Sequence, residues 1–397
     1  MRIRCTEELH DHGGPGRFLL ARAEDALDGL LAEYEGRATL IYLDPPSGAG
    51  DTFHLCLGRG QKPLALPVSD DRLDEAACLA WMRVVLAGCR RLLAPDGSLY
   101  LHTDCRMSAR MRLLLDEVFG RSHFMNEIVW CYKTGGRTTR RFPRKHDTIL
   151  FYRRSARVYF NIDAVGTPRG PERRNHMKRF VDESGRVCFS IRSGGKLYTY
   201  YEDSPVYPTD VWTDIDHLQQ RDRERVGCAT QKPEALLRRI VLASSRPGDL
   251  VMDLFSGSGT TAAVAAALGR RFVAADASPF ALYTLRARLL RQSSTRSLLS
   301  GDHALRLCYP ADDTPAEIDC ALARERGRCA VRLTDARFAG GKAPLVYAAL
   351  GVAEGERFLP RAADCAPQLP LRLEMPEAAE PVLHICDAYG RQAFLRL

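Results

Sequence analysis

Apolar runs that end on a carboxylate recur along this chain. "TLIYLD" closes on Asp44, "SLYLHTD" on Asp104, "LVMD" on Asp253 and "RFVAAD" on Asp276. Each is short, apolar and bounded by turn residues, which predicts a strand buried on both faces. Between them the spacing changes. "EAACLAWMRVVLAGCRRLL" (75–93) carries apolar residues at helical spacing, "RMRLLLDEVFG" reads as a helix closed by Gly120, and "KPEALLRRIVLASS" as a helix with Pro233 in its first turn. "TAAVAAALGR" and "SPFALYTLRARLL" add two more helices, and "RFLLARAEDALDGL" (17–30) a strand running into a helix start. Strands alternating with helices predict an α/β fold with a doubly wound, Rossmann-like parallel sheet. Ligands on such sheets sit beyond the carboxyl ends of the strands, so the loops after the four acids are expected on one rim.

The alternation breaks twice, and charge explains the first break. From Lys133 to Arg157 the chain has nine Lys and Arg and a single acid, Asp147. Trp130, Tyr132, Phe142, Phe151 and Tyr152 lie among or beside them, and "RGPERRNHMKRF" (169–180) adds a second basic cluster. Basic groups release counterions from a phosphate backbone and flat rings stack on bases, although a solvated charged face has the same composition. The second break lies beyond Asp302, where alanine and proline rise and short alternating runs such as "LRLEM" suggest strands. The expected organisation is therefore a first half of the α/β domain at 1–132, an inserted basic lobe at 133–229, the second half at 230–301, and a small β-rich C-terminal appendage of unreadable role at 302–397.

The remaining bulk properties narrow the setting. The 397 residues are 45% apolar and 27% charged with a net charge of +8, ordinary for a soluble globular chain. No apolar run approaches the roughly 20 residues of a membrane span, and the start, "MRIRCTEELHDHGG", lacks the apolar core of a signal peptide. Thirteen cysteines occur with no CxxC pair, which suits reduced thiols in a cytoplasmic protein and offers no metal site.

Candidate chemistry sits on the expected rim. In "DLFSGSGTT", Gly257 and Gly259 allow a sharp strand-to-helix turn, the helix beyond presents free N–H groups, and Asp276 ends the next strand where a carboxylate can hold ribose hydroxyls. Read alone, "GSGTTA" also satisfies the loose pattern of dinucleotide enzymes. The longer stretch from "ATQKPEALL" through "DLFSGSGTT" to "RFVAAD" closely resembles the cofactor half of the DNA amino-methyltransferases, which methylate adenine N6 or cytosine N4 using S-adenosyl-L-methionine. The resemblance implies cofactor contacts from Gln231, Lys232, Pro233, Asp253, Phe255, Gly257, Gly259, Thr260 and Asp276, and from Asp25 in "AEDALDGL". It covers about residues 17–295, and its order, catalytic loop before cofactor loop with a basic lobe between, is that of the β group of the family.

That family carries a catalytic motif, usually Asp-Pro-Pro-Tyr, at a strand end, and here it reads Asp44-Pro45-Pro46-Ser47. An exocyclic base amine is a poor nucleophile because its lone pair is delocalised into the ring. A carboxylate at Asp44 and the carbonyl of Pro45 can accept its two hydrogens and help localise the lone pair, and the prolines fix both acceptors. The target base must leave the duplex to reach them. Ser47 is the departure: the family's aromatic residue there stacks on the base, worth about 1–3 kcal/mol, or about 5- to 150-fold in rate. Phe53 is the nearest downstream ring. Two readings follow, an active site-specific DNA-methyltransferase, tilted to adenine N6 because Asp-Pro-Pro accompanies adenine more than cytosine in this family, and a degenerate relative that binds DNA or acts as a partner subunit with little turnover. Lys133, Arg137, Arg140, Arg141, Arg144 and Lys145 are the expected contacts to double-stranded DNA. His102, Asp104, Trp130, Tyr132 and Tyr198–Tyr201 are secondary candidates. A homodimer or a separate restriction subunit fits a restriction-modification setting.

Overall fold

The computed structural model describes residues 3–9, 16–46, 53–55, 64–66, 74–135, 138–169, 177–219, 221–226, 228, 230–292, 305–310, 314–341, 343–355, 357–365 and 367–397. Six strands form its parallel centre, in the spatial order Leu93–Thr103, Ala38–Leu43, Leu250–Asp253, Arg271–Asp276, Gly16–Leu20, Leu305–Pro310. The unbroken apolar run of the Ala38–Leu43 strand follows from burial on both faces: Leu40 and Tyr42 enter one core, Ile41 and Leu43 the other. Phe18 and Leu20 part from Leu19, and Phe272 and Ala274 from Val273 and Ala275, in the same way. Helices α1 (Ala23–Tyr34), α2 (Glu75–Leu92) and α3 (Ser108–Phe119) cover the face with Ile41 and Leu43. Helices α4 (Glu234–Ser244), α5 (Thr260–Ala267) and α6 (Pro279–Gln292) cover the other. This is the doubly wound α/β sheet that the alternation predicts. Asp74 caps α2 by accepting from the Ala77 N–H at 2.8 Å, and α3 stops at Gly120, whose φ of +93° glycine adopts without strain.

The lobe boundaries differ from the sequence reading. His146–Arg153 was expected inside the basic insertion at 133–229, yet it pairs antiparallel with both Leu93–Thr103 and Phe124–Cys131, and residues 148–152 are buried. Val211–Trp212 also rejoins this sheet, parallel to Phe124–Cys131. Two excursions therefore replace one lobe: a loop at 132–145, and residues 154–210. The second holds a three-stranded antiparallel sheet, Lys178–Val181, Val187–Ser193 and Lys196–Tyr201.

The C-terminal region is β-rich as expected, but it is not set apart. Leu305–Pro310 pairs with Gly16–Leu20 and with Ile3–Leu9, which touches Arg357–Cys365, so one continuous sheet of 14 strands runs from Val211–Trp212 to Gln392–Arg396. A second sheet, Ala316–Glu325, Arg328–Phe338 and Leu371–Pro376, closes a core around Val331, Leu350, Leu383 and Ile385. The region docks on α6: Phe280 shares a core with Val346 and Tyr347, and the Arg286 guanidinium lies 3.7 Å from the Tyr347 ring centre. Among the described residues no helix is long and apolar enough to cross a membrane.

Candidate active site

Asp44 leaves the buried Ala38–Leu43 strand at its carboxyl end, beside the Leu250–Asp253 strand, and Pro45 and Pro46 hold the chain extended as it emerges. Across from it, Lys232 immediately precedes Pro233, the N-cap of α4. Its Nζ donates to Asp44 Oδ2 at 2.5 Å, and both side chains are largely buried. Burial works to lower the ammonium's pKa, but the Asp44 charge and hydrogen bond outweigh it and hold the pKa above the ordinary value. Lys232, expected among the cofactor contacts, has its ammonium on the Asp44 carboxylate. Gln231 is buried and both ends of its amide are engaged by backbone: Nε2 donates to Glu224 O (2.8 Å), and Oε1 accepts from Val226 N–H (2.9 Å). It fixes the approach to α4.

The glycine turn is built from below. Gly257 and Gly259 have φ of +49° and +74°. A Cβ on Gly259 would lie 3.1 Å from Leu285 Cα, whereas one on Gly257 would meet nothing nearer than Phe255 O at 3.8 Å, an open side on which a ligand can approach. Arg288, buried in α6, donates to Ser258 O (2.7 Å), Thr260 Oγ1 (3.1 Å) and Glu234 Oε1 (2.7 Å). Thr260 Oγ1 in turn donates to Lys232 O at 3.3 Å. Asp276 ends the next strand, its carboxylate accepting from Gly257 N–H (2.7 Å) and Ser278 N–H (2.8 Å). Asp253 lies beneath the turn and accepts from Phe255 N–H at 3.0 Å. Burial, with Asp44 and Asp276 nearby, pushes its carboxyl pKa up to about 7 despite the bonds from Thr261 and Phe255. Phe255 meets Trp81 edge-on at 5.5 Å, and Trp81 Nε1 donates to Glu24 at 2.8 Å. Glu24 is thus the α1 acid turned inward, while Asp25 beside it is exposed.

A buried polar chain lies behind Asp44. Tyr42 O–H meets His102 Nδ1 at 2.9 Å, His102 Nε2 meets Asp147 Oδ2 at 3.1 Å, and Tyr132 O–H donates to Asp147 Oδ1 at 3.1 Å. With a carboxylate on Nε2, that nitrogen is the N–H donor of the pair. Burial works to raise the Asp147 pKa, but the bond from His102, the Lys232 charge and the Tyr132 hydroxyl hold it below the ordinary value. Asp104 closes a turn, accepting from Arg106 N–H at 2.8 Å, and Trp130 is core, its Nε1 donating to Ile215 O at 2.7 Å.

The expected DNA contacts divide. Lys133, Arg140, Arg141 and Arg144 are exposed on the loop that rises from the same rim. Lys145 is half-buried and folds inward, donating to Thr134 O (2.7 Å) and Gly135 O (2.6 Å). Arg137 and Ser47 lie outside the described residues. The Phe53–Leu55 strand pairs with Leu64–Leu66. Tyr200 and Tyr201 carry the guanidiniums of Arg169 and Arg186 on their rings, and Tyr198 is exposed.

The rim suits a cationic adenosine cofactor. Asp44, Asp253 and Asp276 converge there, the Gly257 side is open, and the buried Ser256 hydroxyl takes no hydrogen bond among the described residues. Fold and site together define a doubly wound α/β protein with a nucleotide-type rim. A family model for DNA methylases of the N6 and N4 type matches residues 38–286. The chain belongs to this family of S-adenosyl-L-methionine-dependent DNA methyltransferases. It is 29% identical over 320 residues to the type II methyltransferase M.EcaI of Enterobacter cloacae, covering 69% of each chain. It is 30% identical over 252 residues to the DNA adenine methyltransferase YhdJ of Escherichia coli K12, covering 63% of this chain and 75% of that one. Among solved structures, the cytosine-N4-specific PvuII DNA methyltransferase aligns with a TM-score of 0.47 at 14% identity, over 74% of this chain and 98% of that one.

Proposed function

We propose that this methyltransferase acts on the N6 amine of adenine, that Asp44 and Pro45 receive that amine, and that Lys232 positions Asp44. The observation that supports the reading most is the division of the Asp44 carboxylate. Oδ2 is held by Lys232 from the opposite half of the domain, while Oδ1 takes no hydrogen bond among the described residues and is available to the incoming amine. S-adenosyl-L-methionine, when bound, supplies a methyl group activated on a sulfonium. Asp44 Oδ1 accepts one amine hydrogen and the Pro45 carbonyl the other, which draws the nitrogen lone pair out of conjugation and orients it. The two prolines keep those acceptors from turning away. Asp253, Asp276 and the amides at the start of α5 would hold the cofactor, the carboxylates favouring its positive charge. The name of the YhdJ relative and the Asp-Pro-Pro sequence favour adenine over cytosine.

The test is methyl transfer from labelled cofactor to mixed-sequence duplex DNA, followed by digestion to nucleosides. Label in N6-methyladenine is expected, and its loss in Asp44→Ala. Label in N4-methylcytosine overturns the choice of base, and undiminished transfer by Asp44→Ala overturns the mechanism. Ser47→Tyr run alongside measures what the motif's fourth position costs. Cofactor binding without transfer by either the native chain or Ser47→Tyr would mark a DNA-binding relative with no turnover.

A further inference from the structure

The loop at 132–145 joins two neighbouring antiparallel strands whose last pair is Cys131 with His146. Its foot is closed: Tyr132 N–H donates to Lys145 O at 3.0 Å, and the Lys145 ammonium ties down Thr134 and Gly135. Thr138 Oγ1 bonds Arg141 O within its outer part. This anchored loop carries the most exposed large apolar side chain among the described residues, Phe142, at 95% exposure. Burying a phenylalanine gains about 1.5–3 kcal/mol, so a ring left wholly in water stabilises nothing in the chain alone.

Its surroundings indicate what covers it. Arg140, Arg141 and Arg144 flank it and are exposed, and Pro143 follows it directly. An apolar ring between guanidiniums matches a base stack between phosphates better than an apolar protein surface, which would have to desolvate three unpaired charges. The position matches as well. Two residues past the foot, Asp147 bonds His102 and feels the Lys232 charge, so the loop stands on the Asp44 rim. A base drawn out of a duplex leaves a gap flanked by two unstacked neighbours, at a cost of a few kcal/mol.

We propose that Phe142 inserts into the duplex where the target base has left, with Arg140, Arg141 and Arg144 on the adjoining phosphates. The inference rests on the methylation reading and adds to it the group that holds the duplex open. The ring is solvent-exposed, so Phe142→Ala should fold as the native chain does. Methyl transfer is measured on mixed-sequence duplex and on the same DNA heat-denatured. Phe142→Ala is expected to lose about 5- to 150-fold on duplex, the factor for 1–3 kcal/mol of stacking, and less than about twofold on denatured DNA, which has no stack to hold open. In Phe142→Trp, duplex should quench indole emission beyond any change in the native chain, with transfer retained. Equal loss on both substrates, or no added quenching, overturns the insertion. Transfer by the native chain to neither substrate overturns the methylation reading itself, and the insertion with it.

Discussion

Replacing Lys232 by methionine tests whether the ammonium positions Asp44 or merely occupies it. Methionine keeps the length and the apolar stem and removes the charge. At 2.5 Å the bare attraction is about 7 kcal/mol at an effective dielectric constant of 20, but drawing both ions out of water offsets most of it. What remains is a hydrogen bond between ionised groups, about 1.5–3 kcal/mol. The Asp44 side chain is 27% exposed, so water can replace the lost donor and the fold should survive with little change in Tm. The loss should fall on the reaction, because a hydrated carboxylate samples orientations that do not meet the amine. We expect kcat for methyl transfer to fall about 10- to 150-fold, with cofactor Kd changed by less than about threefold, and Lys232→Arg to recover part of the rate. Steady-state transfer with labelled cofactor, beside calorimetric cofactor binding, reads both. If Lys232 only blocked Asp44, Lys232→Met would be as fast as the native chain or faster, and that result refutes the positioning role.

Other sites give further tests. Asp253 has a folded-state pKa of about 7 against an ordinary 3.8, so the folded chain binds this proton more tightly than the unfolded chain. Its favourable contribution is present at low pH and is lost as pH rises from about 4 to about 7. Asp253→Asn keeps the acceptor for Phe255 N–H, and without cofactor it should gain on the native chain by up to about 4 kcal/mol between pH 4 and pH 8; parallel denaturation curves with a constant difference would contradict this. Gly259→Ala forces a side chain into φ +74° and against Leu285, costing about 1–2 kcal/mol, and should weaken cofactor binding measurably by calorimetry. Arg288→Met removes the donors beneath Ser258 O and Thr260; a loss of about 1.5–3 kcal/mol in denaturant melts and at least tenfold weaker cofactor binding are expected, and unchanged affinity would show that the turn holds its shape without it.

Sequence periodicity made the centre of the fold legible because burial on both faces leaves strands that are almost wholly apolar in their interior, as at Ala38–Leu43 and Arg271–Asp276. The rim acids were legible for the opposite reason: a carboxylate closing such a run has no packing role to explain it. The His146–Arg153 strand was misassigned because basic and aromatic neighbours dominate its local composition, while its burial depends on partners at Leu93–Thr103 and Phe124–Cys131. The Ile3–Leu9 strand was missed because "IRCTEEL" carries little apolar signal. Arg288 was legible in principle, since it continues the buried stripe of Ala281, Thr284 and Leu285 at helical spacing, and a charge on that stripe demands partners. The inward turn of Lys145 was not, because a lysine in a basic run looks the same whether it faces phosphate or its own loop.

The contacts around Lys232 connect the two halves of the domain more closely than their separation in sequence suggests. Arg288 holds Ser258, Thr260 and Glu234 at once, so the glycine turn and the first turn of α4 share one guanidinium. Thr260 reaches back to the Lys232 carbonyl, and the Lys232 ammonium reaches forward to Asp44. Whatever shifts the turn therefore shifts the residue that holds the Asp44 carboxylate. Lys232 is also the positive charge that both Asp44 and Asp147 feel. It holds Asp44 Oδ2, while Oδ1 takes no hydrogen bond among the described residues. The "QKPE" segment thus joins the two halves: Gln231 fixes the approach, Lys232 bonds Asp44, Pro233 starts the helix, and Glu234 ties it to the arginine beneath the turn.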